Sequence, residues 1–284
     1  MAIAGINTFL WTVNWENGPE PILAKIKKIG FDAIQVPILG RSTFDPLEVF
    51  TAARRLGLRC YVSAGLSADM DVTSDDLAER RRGIEFLKGC VRVAAQIEAP
   101  FLSGSFHSVF GKKPAKGVGP AEWAHSAESL KEVALAAREA GIDLVLEPIN
   151  RYESFLVNTA DQARTLIKMI GEPNVKIQLD TFHMNLEESS FSDTIKSVGA
   201  DMVHFHVAEN HRGRFGNGML PWDEVFQALA AIKYEGAIVV ESFVPEVTQV
   251  ALSACIWRPM APSADLFAQE ALQLIRRMSG KYGL

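Results

Sequence analysis

The sequence predicts an α/β protein, a single (β/α)8 TIM barrel over residues 1–284, on three observations. Short apolar runs alternate with longer amphipathic segments from one end to the other, eight such runs can be counted, and each of the last four closes on a carboxylate or an imidazole.

Residues 2–9 form the first strand candidate, and PEPILAKIKKIG (19–30) follows it as a helix that Pro19 opens and Gly30 stops. FDAIQVP (31–37) is the second strand; its helix, DPLEVFTAARRLG (45–57), is entered at Pro46 and left at Gly57. LRCYVSA (58–64) precedes the long amphipathic segment 74–99, and PFLSGSF (100–106) precedes a helix over 119–141, bounded by Pro120 and Gly141. IDLVLE (142–147) leads to TADQARTLIKMIG (159–171), which ends at Gly171, and VKIQLD (175–180) is the sixth strand. MVHFH (202–206) is followed by PWDEVFQALAAIK (221–233), which Pro221 opens, and the eighth strand (237–242) by a last helix over about 264–278. Proline suits a first helical turn, where its missing N–H has no partner to lose, and glycine accepts the left-handed geometry that ends a helix.

Eight βα units close most simply into a barrel whose ligands bind at the C-terminal strand ends. An open doubly wound sheet carries similar alternation, but it would lay Glu147, Asp180, His206 and Glu241 in a row too wide for one ion. Closure brings them around one point. Side-chain alternation along a strand puts Val145 with Glu147, Gln178 with Asp180, His204 with His206 and Val239 with Glu241 on one face, the barrel interior. Taken singly, each of the four reads more plainly as a capping or salt-bridged side chain. Together, three carboxylates and one imidazole make an oxygen-rich set that suits Mn²⁺ or Mg²⁺ better than zinc.

The composition sets further bounds. With 48% hydrophobic residues among 284, the chain can bury a large core, and a net charge of −5 argues against nucleic acid or an anionic membrane as main partner. Cys60, Cys90 and Cys255 show no CxxC spacing, so neither a disulfide framework nor a thiolate zinc site is expected. The opening MAIAGINTFLW lacks a basic region before its apolar residues, and no apolar run reaches membrane-spanning length. A soluble cytoplasmic protein with a small-molecule partner is expected.

Just past the strand ends lie Glu153 in EPINRYE, His183 in DTFH and Arg212 in HVAENHR. Their spacing puts them on loops over the pocket. The plainer readings are a surface salt bridge for Arg212 and a helix-capping role for His183. Taken together, LEPINRYE, QLDTFHMNLEE, HFHVAENHRG with a later GNG and LPWDE, VVESF, and IWR resemble the D-tagatose 3-epimerase and D-allulose (D-psicose) 3-epimerase family, sugar epimerases on a xylose-isomerase-like barrel. The likeness covers nearly the whole chain and is densest over 141–260.

That resemblance implies a ketose 3-epimerase acting on free ketohexoses or ketopentoses, using Mn²⁺ with Mg²⁺ or Co²⁺ as substitutes, assembled as a homodimer or homotetramer. It assigns Glu147, Asp180, His206 and Glu241 as metal ligands, Glu147 and Glu241 as the acid/base pair, and Glu153, His183 and Arg212 as substrate contacts around the carbonyl end. Trp15 and Phe243 match apolar walls of the sugar pocket, whereas Trp11 reads as core. The chemistry is coherent, since inverting carbon 3 beside a ketone needs one carboxylate to withdraw the proton and a second, on the opposite face, to return one.

The chain departs from the family at Asn7, an aromatic position there, and in the loop SFHSVFGKKPAKGVGP, with Phe110 near a usual tryptophan. Both departures leave substrate identity open. Lys112, Lys113 and Lys116 in that loop, expected to be mobile, read as a solvated face rather than a phosphate site. The segment 244–265 is too long for an ordinary connection and is expected to cover the pocket or join a subunit interface. Three other readings compete: aldose–ketose isomerisation of the hydroxypyruvate or inosose type, metal-dependent DNA repair as in endonuclease IV relatives, and a noncatalytic sugar-binding barrel. The histidines are too few and wrongly placed for a repair zinc cluster, and no ligand is lost as a mere binder would allow.

Overall fold

The computed structural model describes residues 2–40 and 42–284. In chain order the elements are β1 (Ile3–Asn7), α1 (Glu20–Ile29), β2 (Ala33–Leu39), α2 (Pro46–Arg55), β3 (Arg59–Gly65), α3 (Leu77–Gln96), β4 (Phe101–Gly104), α4 (Pro120–Glu139), β5 (Asp143–Leu146) and α5 (Ala160–Ile170). They continue as β6 (Val175–Asp180), α6 (Thr181–Glu187), α7 (Phe191–Val198), β7 (Met202–Val207), α8 (Trp222–Ala231), β8 (Ala237–Val240), α9 (Thr248–Ser253) and α10 (Ala264–Tyr282). The strands neighbour one another in chain order, and β8 returns to β1 in parallel, which closes the barrel.

All eight expected strands are present, with shifted edges. β2 starts two residues late because Phe31 N–H still bonds back to Ile26 of α1 and the Asp32 carboxylate accepts Ala4 N–H at 2.9 Å. β4 stops at Gly104, whose φ of +142° turns the chain out of the sheet; a Cβ there would lie 2.4 Å from the Ala64 carbonyl oxygen. Gly30, Gly57, Gly141 and Gly171 take positive φ at helix ends as expected. Three helices were not foreseen: α6 and α7 between β6 and β7, and α9 within 244–265.

The chain divides into two compact units, one of Met1–Pro37, Thr43–Cys60 and Leu179–Leu284, the other of Ile38–Ser42 and Tyr61–Gln178. In the first, β1 pairs with β8 from Ile3↔Ala237 to Ile6↔Val240, and β7 with β8 from Phe205↔Ile238 to Val207↔Val240. Val239 fills the space beside Gly5, where a Cβ would come within 2.9 Å of it. Ile6, Leu23, Ile34, Phe205 and Phe226 are fully enclosed there. α9 buries Val250 and Ala251 against Val13, Phe243 and Ile256, with Phe9 beside them, so the long segment packs against the stretch that follows β1.

In the second unit β3 to β6 pair in order, with Leu87, Leu102, Leu130, Leu144 and Ile177 at its centre. α5 is opened by a reciprocal cap in which Gln162 N–H donates to Thr159 Oγ1 and Thr159 N–H donates to Gln162 Oε1. The loop after β4, expected to be mobile, is tied down at its start, while Lys113 and Lys116 stay exposed as the solvated-face reading expects. Lys112 pairs with the buried Asp71, Lys113 Nζ donates to the Tyr152 carbonyl at 2.6 Å, and Gly111 N–H donates to the Glu153 carbonyl at 2.7 Å. Lys112 is thereby already neutralised. All three cysteines are free, and among the described residues no helix is long and apolar enough to cross a membrane.

Candidate active site

Asp180 ends β6 and opens α6 without an intervening loop. Its Oδ1 accepts Phe182 N–H at 2.6 Å and His183 N–H at 3.4 Å, the work of an N-cap, while Oδ2 faces His206 Nδ1 at 3.7 Å. One carboxylate therefore caps α6 with one oxygen and turns the other toward the His206 ring. His183, expected on a loop, sits inside the first turn of α6, buried, with its Nε2 3.5 Å from an Arg212 guanidinium nitrogen.

His204 and His206 project to the same side of β7, their ring centroids 5.0 Å apart. The Nε2 of each meets the Oε1 of Gln35 on β2, at 2.7 and 2.8 Å. The other nitrogen of His206, Nδ1, lies 3.7 Å from Asp180 Oδ2 and 3.7 Å from Glu241 Oε1. Burial, reinforced by the nearby Arg212 cation, pulls its pKa down to about 3, and burial first, then Arg212 and His206, holds His183 well below the ordinary imidazole range. Both rings are neutral at pH 7. A neutral imidazole with a nitrogen turned to two carboxylates is in the state a metal ion requires.

Glu241 directly follows β8. Asn7, at the end of β1, donates its side-chain N–H to Glu241 Oε1 at 3.1 Å, while Arg212 stands 3.8 Å from Oε2. Arg212 is buried to 4% exposure, its guanidinium 3.9 Å from the Phe182 ring centre and 4.8 Å from that of Phe243. Two aromatic faces thus hold the cation in place of water. Its backbone takes a positive φ of 53°, held by Arg212 N–H donating to the Glu209 carbonyl and Ser242 Oγ donating to the Arg212 carbonyl, each at 2.8 Å. Trp15 is buried against Phe44, and Phe243 against Phe9. Trp11, expected in the core, is only half-buried and donates its indole N–H to Asp265.

Glu147 and Glu153 belong to the other unit. Glu147, one residue past β5, is buried; its N–H donates to the Gly104 carbonyl and its carbonyl receives His107 Nε2 at 3.0 Å. Glu153 lies in the turn after it, its N–H donating to the Asn150 carbonyl.

In Asp180, His206 and Glu241 one donor atom from each residue lies within 4.8 Å of the others. Ligand atoms at about 2.0–2.4 Å from a common ion need only small adjustments from that spacing. Two carboxylates and a neutral imidazole fit a hard divalent cation. The xylose isomerase-like TIM barrel family profile matches residues 23–277. A ketose 3-epimerase of Arthrobacter globiformis is 34% identical over 277 residues, 96% of this chain and 95% of that protein, and a D-psicose 3-epimerase of Agrobacterium fabrum is 32% identical over 266 residues, 92% of each.

The chain belongs to the ketose 3-epimerase family of xylose isomerase-like barrels.

The crystal structure of a D-allulose 3-epimerase from Methylomonas sp. in complex with D-allulose superposes with a TM-score of 0.92 at 30% identity, over 98% of this chain and 97% of that one. Within this ketose 3-epimerase fold, sequence reading missed two buried polar residues. Gln35 sits in an apolar run, and only its amide at an otherwise hydrophobic strand centre hinted at a partner. Glu209, enclosed at 0% exposure, accepts Trp222 Nε1 at 2.9 Å and Gly216 N–H at 2.7 Å and so braces the loop that carries Arg212. It lay inside the quoted HVAENHRG motif without a role.

Proposed function

We propose that the protein, one domain over residues 1–284, is an isomerase that inverts carbon 3 of free ketohexoses or ketopentoses. D-tagatose/D-sorbose, D-fructose/D-allulose and L-ribulose are the pairs to test. The observation that carries this reading is the convergence of Asp180, Glu241 and a neutral His206 in a chain of the ketose 3-epimerase family. Glu147, at the corresponding end of β5, is the fourth ligand of the scheme. When bound, a divalent ion, Mn²⁺ with Mg²⁺ or Co²⁺ as substitutes, offsets the negative charge that develops on the sugar oxygens as the proton on carbon 3 leaves.

The residues of the chain do the rest. One of Glu147 and Glu241 withdraws the proton from carbon 3 and the other delivers a proton to the opposite face, the roles reversing with the direction of reaction. Asn7 and Arg212, on separate oxygens of Glu241, hold that carboxylate in one orientation. Arg212 and His183 bring donors toward the carbonyl end of the sugar, where they stabilise developing charge, and Glu153 grips a hydroxyl. Trp15 and Phe243 supply apolar walls. Free thiols support a reducing, cytoplasmic setting, and exposed Trp257 and Leu252 at the α9 segment support a homodimer or homotetramer.

The test is proton NMR of each ketose incubated with enzyme and Mn²⁺ in D₂O. Deuterium entering at carbon 3 with a new ketose is the expected result, and Glu147→Gln or Glu241→Gln abolishes it in a folded protein. Near-normal turnover by either variant overturns the two-base scheme. Label at carbon 1 or 2 with an aldose product assigns the aldose–ketose isomerase reading instead.

A further inference from the structure

We infer that Gln35 is a positioning residue of this centre: its carbonyl oxygen takes the Nε2–H of both His204 and His206 and so keeps the proton off Nδ1 of His206, the nitrogen that faces Asp180 and Glu241. The three side chains are buried to 1% exposure or less, and both contacts, 2.7 and 2.8 Å, converge on one oxygen. An amide oxygen has two lone pairs and donates nothing, so it accepts one N–H from each ring. The T-shaped arrangement of the rings, 69° between planes, brings both Nε2 edges to that point.

The need for such a residue follows from the neighbours of His206. Two carboxylate oxygens at 3.7 Å from Nδ1 attract a proton onto that nitrogen. An imidazole with a single N–H can aim it at Gln35 through Nε2 or at the carboxylates through Nδ1. Without an acceptor at Nε2, the proton would sit at Nδ1, and the ring would offer a donor where a lone pair is required. Gln35 opposes that pull. His204 occupies the second lone pair and holds the amide in the orientation that accepts. The consequence for cation binding rests on Asp180, His206 and Glu241 being cation ligands; the tautomer itself does not.

The experiment compares wild type, Gln35→Met and Gln35→Glu. Long-range ¹H–¹⁵N correlation spectra of the metal-free proteins report which ring nitrogen carries the proton, and calorimetric titration with Mn²⁺ reports affinity. Wild type and Gln35→Glu should show Nε2–H on both histidines. Gln35→Met should move the His206 proton to Nδ1 and weaken Mn²⁺ binding by about 10–100-fold, the usual cost of losing a ligand's hydrogen-bonding partner. Gln35→Glu should bind at least as tightly as wild type. An Nδ1–H tautomer on His206 in wild type or in Gln35→Glu, or an unchanged tautomer in a folded Gln35→Met, overturns the inference. Should Gln35→Met fail to fold, the spectra of wild type and Gln35→Glu still decide it. A wild type that takes up no Mn²⁺ overturns the cation-ligand reading and leaves the tautomer result standing.

Discussion

Asp180 turns one oxygen to the start of α6 and the other to His206, so a pair of substitutions separates a cap from the proposed ligand role. Asp180→Asn keeps an Oδ1 that caps α6 through Phe182 and His183 and removes the charge that faces His206. Asp180→Ala removes both. The facing oxygens of Asp180 and Glu241 lie within 4.8 Å, which at an effective dielectric of about 20 amounts to a repulsion of about 3 kcal/mol, partly offset by Arg212. Losing the charge at the helix N-terminus costs about 0.3–1 kcal/mol. Metal-free Asp180→Asn should therefore be at least as stable as wild type. Asp180→Ala should lie below Asp180→Asn by about 1 kcal/mol, the value of an N-cap, or about 2–4 °C in Tm for a chain of this size. Mn²⁺ at a hundred times its Kd should stabilise wild type by about 2.7 kcal/mol and raise its Tm by about 5 °C or more. Neither variant should respond. Differential scanning calorimetry with and without Mn²⁺ reads all of these outcomes. A metal-dependent rise retained by Asp180→Asn would refute the ligand role, and equal Tm values for the two metal-free variants would refute the cap.

Arg212→Lys keeps the charge but cannot lie flat between Phe182 and Phe243, so kcat on the preferred ketose should fall by about 100-fold, with a loss of up to about 2 kcal/mol in stability. A rate within a few-fold of wild type in steady-state assays would remove Arg212 from the machinery. Burial lowers the His107 pKa from the ordinary 6.5 to about 4. Above pH 6.5 both states are neutral there, while between 6.5 and 4 the unfolded chain takes a proton that the native state refuses, so stability falls as pH drops through that window. Between pH 7 and 5 this amounts to about 2 kcal/mol. His107→Gln should flatten that part of the dependence in urea titrations at the two pH values, and an unchanged slope would show that His107 titrates normally.

The strand-end donors stood out in the sequence because each is a local anomaly, one polar residue closing an apolar run, and the structure brings Asp180, His206 and Glu241 of that set within 4.8 Å of one another. Gln35 was not legible. Its partners lie 169 and 171 residues away, and an amide inside FDAIQVP has no local pattern to announce them. The hydrogen bond from Asn7 to Glu241 spans 234 residues and reads in sequence only as a departure from the family. α6 went unseen because Asp180 is at once the last strand residue and the helix cap, which leaves no loop to mark the change. Of the lysines after β4 only Lys112 departs from the solvated reading, because the buried Asp71 that receives it is separated from it in sequence by a whole helix-and-strand unit.

By itself the sequence determined the alternation of strand and helix, the number of units and the chemical identity of the donor atoms, because hydrophobic periodicity and turn chemistry act between neighbours in the chain. Only the tertiary structure decided which nitrogen of His206 faces the carboxylates, which oxygen of Asp180 serves the helix and what holds Arg212 between two rings. Those depend on the direction and distance of hydrogen bonds and ring contacts between residues far apart in sequence, and such geometry exists only after the chain has closed.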